Sequence, residues 1–307
     1  MITKASPLGR ALAAGLLLAI GLAPPVLNAA PQTFNTALPV AEGNFVYRQQ
    51  LLYLRASDDP GPADRDLRIA GAVAVLGYGV NSRFAVFGAL PLLDKRLELT
   101  PVPGQMRIRR DTRGLGELRV FGRYTLVADD APGRTARLAV FGGIETPTGK
   151  DDDRDPFGRL PQPLQAGSGS WDPFVGVVGT WQTLDWQLDA QIAWEVNREA
   201  NDFEFGDRLM IDGAWQNRLW PRELGPGLPG FLYGALELNL VHAEKNRVSG
   251  RSDPDSGGQT VLASPGLQYV TRDWIIEGIV QVPLVQSLNG LALKQDFSIR
   301  AGFRRNF

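Results

Sequence analysis

Residues 184–197 (LDWQLDAQIAWEVN) alternate between apolar and polar side chains with a period of two. The even positions, from Leu184 to Val196, are all apolar, whereas the odd positions are polar apart from Ala193. Successive side chains of a β-strand point to opposite faces, while a helix would mix the two sets around its circumference. The pattern therefore predicts a strand with one apolar and one polar face.

The same alternation recurs along the chain and predicts about twelve strands. Most of these segments span 10 or more residues, which is about the length of a tilted membrane-spanning strand and exceeds the ~5–6 residues common in soluble proteins. They centre near residues 43–55, 67–79, 82–91, 114–127, 135–146, 169–180, 184–198, 207–219, 230–242, 259–270, 273–285 and 294–307.

The connections between these strands alternate between long loops and tight turns, which is the arrangement of outer-membrane barrels. With a periplasmic N-terminus, the long loops face outward. The predicted fold is all-β, an antiparallel up-and-down transmembrane β-barrel of about 12 strands. The predicted long loops are residues 56–66, 92–113, 147–168 and 243–258, the tight turns are 80–82, 182–183 and 271–272, and the long stretch 219–229 breaks the rule.

The barrel must close, because an open sheet edge in lipid would leave backbone groups without hydrogen-bond partners. We therefore expect the last strand to pair with the first. The chain ends on Phe307, and an aromatic C-terminus resembles the signal read by the barrel assembly machinery. Arg305 departs from that signal, because its position usually holds an apolar residue.

The N-terminus has the layout of a secretory signal peptide. Lys4 and Arg10 precede an apolar run at residues 11–23, and the small residues Ala29 and Ala30 follow. The run is shorter than the ~20 apolar residues that span a bilayer, which argues against the alternative of an uncleaved anchor. We expect a cleaved signal peptide over residues 1–30 and one barrel domain over residues 31–307.

Composition excludes several classes of function. The net charge of −1 gives no basic surface for nucleic acid. The absence of cysteine excludes thiolate metal sites, and a single histidine excludes a histidine-rich cluster. We predict no catalytic, cofactor-binding or metal-binding residues and no enzyme.

Three local motifs have alternative interpretations. The acidic run 150–155 could hold a hard cation, but a solvated loop is the favoured interpretation. Residues 253–258 indicate a turn. His242, beside Glu244, would be needed by a barrel hydrolase, although the sequence places no nucleophile near it.

The seven tryptophans mostly fall near predicted strand ends, which predicts an interfacial aromatic girdle.

The polar face of the strands supplies the candidate functional residues. We expect them to line the barrel lumen, either as a polar path for a solute or as a paired network that fills the interior. Barrels of about 8 strands are filled and those of 16–18 leave a channel, so the strand count leaves both open. The predicted lumen-lining residues are Arg48, Gln50, Glu117, Arg119, Arg123, Glu145, Asp189, Glu195, Asp212, Glu237, Glu277, Asp296 and Arg300.

Three stretches carry a family resemblance: GLGELRVFGRY (Gly114–Tyr124), GGIETPTGK (Gly142–Lys150) and LQAGSGSWDPFVG (Leu164–Gly176). With them the chain, over about residues 35–307, resembles the outer-membrane family named after the MetA pathway of phenol degradation, whose members are described as transporters. The resemblance implies a barrel with a link to aromatic catabolism. It carries no catalytic residues.

These observations predict residence in a Gram-negative outer membrane. The expected partners are outer-membrane lipid and lipopolysaccharide, the barrel assembly machinery and a small-molecule solute, with no cofactor. The expected function is porin-like passage of small molecules, with aromatic or hydrophobic compounds among them. The alternative is a structural or surface-interaction barrel with a sealed lumen and functional outer loops.

Overall fold

The computed structural model describes residues 29–102, 104–223, 227 and 229–307. The predicted signal peptide, apart from Ala29 and Ala30, lies outside the described residues. Within the described ranges the one helix is a short 3-10 helix, Gln162–Leu164. No helix in this part of the chain is long and apolar enough to cross a membrane.

The chain folds into strands that follow one another in sequence. They are β1 (Phe45–Ala56), β2 (Asp66–Gly79), β3 (Phe84–Leu99), β4 (Ile108–Leu115), β5 (Arg119–Ala131), β6 (Arg134–Glu145), β7 (Arg154–Asp155), β8 (Gly158–Arg159), β9 (Asp172–Thr183), β10 (Trp186–Glu195), β11 (Phe203–Glu204), β12 (Arg208–Trp220), β13 (Phe231–Ala243), β14 (Arg247–Val248), β15 (Arg251–Ser252), β16 (Gly258–Val270), β17 (Trp274–Leu288) and β18 (Phe297–Asn306).

The long strands form one closed antiparallel sheet, which confirms the predicted barrel. Each pairs with its sequence neighbours, and β1 pairs with both β2 and β18. The seam ends where the N–H of Phe45 donates to the carbonyl of Phe307 at 2.7 Å and the N–H of Phe307 donates back at 3.0 Å. Closure gives every long strand except β4, which pairs with β3 alone, a neighbour on both sides, as lipid requires.

The barrel wall has twelve strand positions, here called staves. β4 and β5 together fill one of them, with an interruption between them. β3 pairs with β5 through its first half and with β4 through its second half. The predicted long loop at residues 92–113 is therefore wrong: most of it is a β-hairpin that extends the barrel wall. Residues 94–98 and 107–113 are rich in charge. A hairpin that projects beyond the lipid needs no apolar face, so the alternation that predicts strands is weak there.

The long loops lie at one end of the barrel, the loop end, and the short turns lie at the other, the turn end. The loop end carries residues 57–65, 100–107, 146–171, 196–207, 244–257 and 289–296. The turn end carries residues 80–83, 132–133, 184–185, 221–230 and 271–273, together with the chain terminus. Of residues 221–230, those at 224–226 and 228 lie outside the described part.

The outer surface of the barrel is apolar. Large aliphatic side chains stand exposed on the strands, as expected for lipid contact, and include Leu51, Leu76, Val120, Val175, Leu188, Ile192, Ile211, Leu236, Leu238, Leu267, Ile276 and Ile299. Aromatic pairs gather at the turn end. Trp181 contacts Trp186, and Tyr269 contacts Trp274, each with ring centroids 5.7 Å apart.

Candidate functional site

A segment that sequence reasoning missed crosses the barrel interior. Residues 29–44, here the N-terminal segment, form no barrel strand, and the part up to Leu38 runs inside the closed sheet before β1. Ala29 and Ala37 are fully buried. The segment reaches the turn end at Gly43, whose N–H donates to the carbonyl of Gly79 at 2.8 Å. The available signal was the uncharged composition of residues 32–36, which are polar apart from Phe34 and lack the alternation of a strand.

Glu237 on β13 holds one part of the N-terminal segment. Its carboxylate accepts the backbone N–H of Gln32 at 2.6 Å, that of Thr33 at 3.1 Å and the Thr33 hydroxyl. The Thr33 hydroxyl also accepts from Asn239 at 2.9 Å. Glu237 is fully buried, so its charge depends on these donors. Nearby, Gly266 makes room for Gln32, because a Cβ there would lie 2.9 Å from the Gln32 amide nitrogen.

Arg123 on β5 holds the segment from another side of the barrel. Its guanidinium donates to the carbonyl oxygens of Thr36 at 2.6 Å and Leu38 at 2.5 Å. Thr180 also contributes, because its hydroxyl accepts the N–H of Ala37 at 2.8 Å. The Thr36 hydroxyl donates to Asp189 at 3.0 Å. Buried polar groups of the wall thus satisfy the backbone of a segment that forms no sheet.

Arg48 and Gln50 on β1 complete the anchoring. Arg48 donates to the carbonyls of Pro31 at 3.3 Å and Gln32 at 3.2 Å, and its Nε donates to Glu277 at 2.8 Å. The amide of Gln50 donates to the Gln32 carbonyl at 2.8 Å. The N-terminal segment is therefore fixed to β1, β5 and β13 at once.

A cavity of about 1450 Å³ remains between the N-terminal segment and the wall. Part of its lining is aromatic. Phe87 stacks on Phe121 with centroids 4.8 Å apart, and Phe174 meets Phe121 edge-on at 5.9 Å. The guanidiniums of Arg119 and Arg123 lie over Phe174 and Phe87, at 4.7 and 4.9 Å from the ring centroids. We call Phe87, Phe121 and Phe174 the phenylalanine cluster.

The apolar side of the cavity differs from the polar lumen face that the alternation predicts. Val73 and Val75 on β2 join Leu52 and Leu54 on β1 in its lining. β2 reads DLRIAGAVAVLGYG and is apolar or small on both faces through most of its length. A strand with two apolar faces indicates contact with lipid on one side and an apolar interior on the other.

The predicted lumen-lining residues fall into three groups. Those that line the cavity are Arg48, Gln50, Arg119, Arg123, Glu195, Asp212 and Arg300. Those buried close to the N-terminal segment are Asp189, Glu237 and Glu277. Those at the loop end are Glu117, Glu145 and Asp296, of which Asp296 precedes β18 and accepts from the Ser57 hydroxyl at 2.6 Å. Their part in a solute path stays a prediction.

Three carboxylates come together at the loop end. Oxygens of Glu117, Glu145 and Asp172 all lie within 4.8 Å of one another, close enough to share a cation. Donors already occupy this site. The N–H and hydroxyl of Ser168 reach Glu117 at 2.8 and 2.9 Å, and Arg119 pairs with Glu145 at 2.6 Å. These donors tie loop 146–171 to the carboxylate cluster.

The acidic run 150–155 fastens loop 146–171 to the barrel wall. Arg110 on β4 donates to both carboxylate oxygens of Asp155, at 2.7 and 3.0 Å, and both side chains are mostly buried. The Thr112 hydroxyl donates to Asp153 at 2.5 Å. Asp153 and Asp155 are thus engaged by β4, whereas Asp152 is exposed as the predicted solvated loop requires.

Acidification is expected to loosen loop 146–171. The hydrogen bond from Arg110 holds the pKa of Asp155 below its usual value, as the bonds from Lys150 and Thr112 do for Asp153. Carboxylates with lowered pKa values stabilise docking above the ordinary pKa of about 3.9, and that stability is lost as pH falls through the lowered values. Hydrogen exchange should show smaller protection factors in this loop near pH 3 than near pH 6.

The same loop offers a matched pair of variants. Asp155→Asn should reduce protection at pH 6, whereas Asp152→Asn should not, because Asp152 is exposed and makes no hydrogen bond in the described structure. Equal protection in Asp155→Asn and the unmodified protein at both pH values would contradict the docking role of this ion pair.

His242 lies at the loop end of β13. Its Nδ1 is buried, and no hydrogen-bond partner reaches it from the described residues. A histidine base in a hydrolase needs an orienting partner and a nucleophile within hydrogen-bond reach. The sequence left open a dyad of His242 with Glu244. In the described chain, His242 Nδ1 makes no hydrogen bond to Glu244, so the dyad is not formed through this nitrogen.

Comparison with known proteins places the chain in a family. A family profile described as "Putative MetA-pathway of phenol degradation" matches residues 65–277, well over half of the chain. Comparison with curated proteins finds no match.

Among solved structures, the chain is similar to the COG4313 outer membrane channel from Pseudomonas putida F1. The identity is 15%, the TM-score is 0.68, and the match covers 91% of this chain and 100% of that one. The NanC porin is more distant, with 11% identity, a TM-score of 0.47, and coverage of 84% of this chain and 98% of that one. The first likeness supports the fold, a twelve-stave barrel of the outer-membrane type. The protein therefore belongs to the MetA-pathway family of phenol degradation, as the matched residues 65–277 show.

Proposed function

We propose that this outer-membrane barrel admits small, largely apolar molecules, aromatic compounds in particular, through the cavity beside its N-terminal segment. The observation that carries the proposal is the phenylalanine cluster at a cavity of about 1450 Å³. Rings in edge-on and stacked contact offer the geometry that another aromatic ring prefers. An apolar surface of this kind suits an apolar solute better than a hydrophilic one.

Two further observations support the proposal. The family description links its members to phenol degradation, and aromatic catabolism needs a route across the outer membrane. The Pseudomonas putida F1 protein with the similar fold is described as an outer membrane channel. The exposed aliphatic surface of the barrel fits lipid rather than water.

Uptake by intact cells tests the proposal. A Gram-negative host lacking its own general porins would express the protein, and entry of labelled phenol and of cyclohexanol, a non-aromatic molecule of similar size, would be measured. We expect the protein to raise the entry rate of phenol more than that of cyclohexanol. No increase for either compound, with folded barrel in the membrane, would refute the proposed function.

Substitution of Phe121 should remove the preference for aromatic solutes. Phe121 contacts both other rings of the cluster, so Phe121→Ala leaves Phe87 and Phe174 without their shared partner. An aromatic pair contributes about 0.5–1.5 kcal/mol beyond its burial, so the phenol-to-cyclohexanol ratio should fall about two- to tenfold. Phe157→Ala, which removes an exposed loop ring, is the matched control. An unchanged ratio in Phe121→Ala would contradict the role of the cluster.

A second function has one specific observation in its favour. The N-terminal segment is hydrogen-bonded to three parts of the wall, as a sealed lumen would require. A surface-interaction barrel would then act through its outer loops. Removing the loop tip at residues 247–252 separates the two proposals, because loss of function with unchanged solute entry would favour the surface role.

A further inference from the structure

Arginines gather on the part of the barrel wall where β1, β17 and β18 meet. Arg48 on β1 stands directly opposite Arg304 on β18 in the strand register. Arg300 lies on the same face of β18, because residues two and four apart along a strand share a face. It pairs in register with Leu52 on one side and with Ile279 on the other. All three arginines line the cavity.

One carboxylate lies among these arginines. Glu277 is opposite Gly302, the residue between Arg300 and Arg304 on the inward face of β18. Gly302 leaves the space that the carboxylate occupies, since a Cβ there would lie 2.5 Å from Glu277 Oε1. Glu277 pairs with Arg48 at 2.6 Å. The nearby Glu237 is engaged by the N-terminal segment, so cationic charge exceeds anionic charge on this part of the wall.

Arg300 has no carboxylate in ion-pair contact in the described part of the chain. Within the described ranges of the chain it makes no hydrogen bond and no ion pair, and its side chain opens to the cavity. Arg48 and Glu237, which carry opposite charges, both act electrostatically on Arg300. A guanidinium remains charged at every physiological pH and matches planar anions through paired hydrogen bonds. Its open face therefore suits an anionic group that enters the cavity.

Apolar side chains lie on one side of Arg300. Leu52 lies directly opposite it, and Leu54, Val73 and Val75 continue the lining along β1 and β2. A small inorganic anion would satisfy the guanidinium but would leave this apolar surface facing water. A molecule with an apolar body and one anionic group would contact both.

We infer that the cavity binds organic anions with an apolar body, such as aromatic or aliphatic carboxylates and sulfonates, with the anionic group on Arg300. This inference rests on the proposed function, because it specifies which small apolar molecules the barrel admits. Leu52, which pairs with Arg300 in register and lines the cavity, contacts the body of the solute, and Arg300 contacts its charged end.

Binding to the purified full-length barrel in detergent, at low chloride, tests the inference. Isothermal titration calorimetry would compare benzenesulfonate with benzenesulfonamide, a neutral molecule of nearly the same shape. We expect the sulfonate to bind more tightly in the unmodified protein. Arg300→Gln should weaken sulfonate binding about tenfold or more, the usual effect of losing hydrogen bonds to a charged group, and should leave sulfonamide binding unchanged.

Two further variants make the result specific. Arg300→Lys keeps the charge but not the paired geometry, so it should bind the sulfonate with intermediate affinity. Arg134→Gln removes an exposed arginine at the turn end, paired with Asp129, and should have no effect. If Arg300→Gln fails to fold, Arg300→Lys tests the role of this residue, and the comparison of the two ligands on the unmodified protein still tests the preference for anions.

Two outcomes would overturn the inference. The first is equal or weaker binding of the sulfonate relative to the sulfonamide. The second is unchanged sulfonate affinity in folded Arg300→Gln. The proposed function is judged separately by the entry of neutral phenol, so a barrel that admits phenol but shows no preference for anions would retain the function and lose the inference.

Discussion

Deletion of residues 31–40 is expected to raise the single-channel conductance of the barrel severalfold. These residues form most of the N-terminal segment, which crosses the interior and contacts β1, β5 and β13. They belong to no barrel strand, so the closed sheet keeps all of its own pairing when they are removed. A twelve-stave barrel freed of its contents lies between filled and open barrels in diameter.

Planar bilayer recording would measure this change, with heat-modifiable mobility on gels as the check of folding. Deletion of residues 247–252, the exposed hairpin tip formed by β14 and β15, is the matched control and should leave conductance near that of the unmodified protein. Equal conductance in the two deletions would show that the N-terminal segment does not limit passage.

Glu237→Ala is expected to destabilise the N-terminal segment more than any other single substitution in the lumen. The carboxylate accepts three hydrogen bonds from Gln32 and Thr33. A buried donor left without an acceptor costs about 1–3 kcal/mol, so the loss should amount to several kcal/mol unless the segment moves into water. We expect movement, seen as frequent openings to a higher conductance and as a lower melting temperature.

The effect of Glu237→Ala should depend on the segment. In protein that already lacks residues 31–40, the same substitution should change conductance little, because the two alterations act on one interaction. Glu244→Ala alters an exposed glutamate near the end of the same strand and should be silent in both backgrounds. Additive effects of Glu237→Ala and the deletion would contradict the anchoring role.

The barrel itself could be predicted from the sequence. Residues 184–197 alternate so regularly that one face must meet lipid and the other the interior, and β10 with its neighbours has that arrangement. The predicted pairing of the first and last strands is likewise observed between Phe45 and Phe307. Both follow from local physics, because lipid demands an apolar surface and a fully paired backbone.

The prediction failed where lipid no longer constrains the chain. The hairpin of β3 and β4 extends past the barrel body, so its charged residues carry no alternation and were predicted as a loop. The interior of β2 is apolar where the alternation predicted a polar lumen. An alternation of period two shows which face is buried only when the two faces differ in polarity. Both faces of β2 are apolar, so no alternation is visible there.

The amino-acid sequence by itself determined the class of fold, the number of staves and the side on which the long loops lie, because the alternation of each strand is a local response to lipid and water. Only the tertiary structure decided what the lumen contains. The N-terminal segment meets Glu237 and Arg123 across sequence separations of 205 and 87 residues. Such contacts form only when the barrel closes, and no local sequence pattern predicts them.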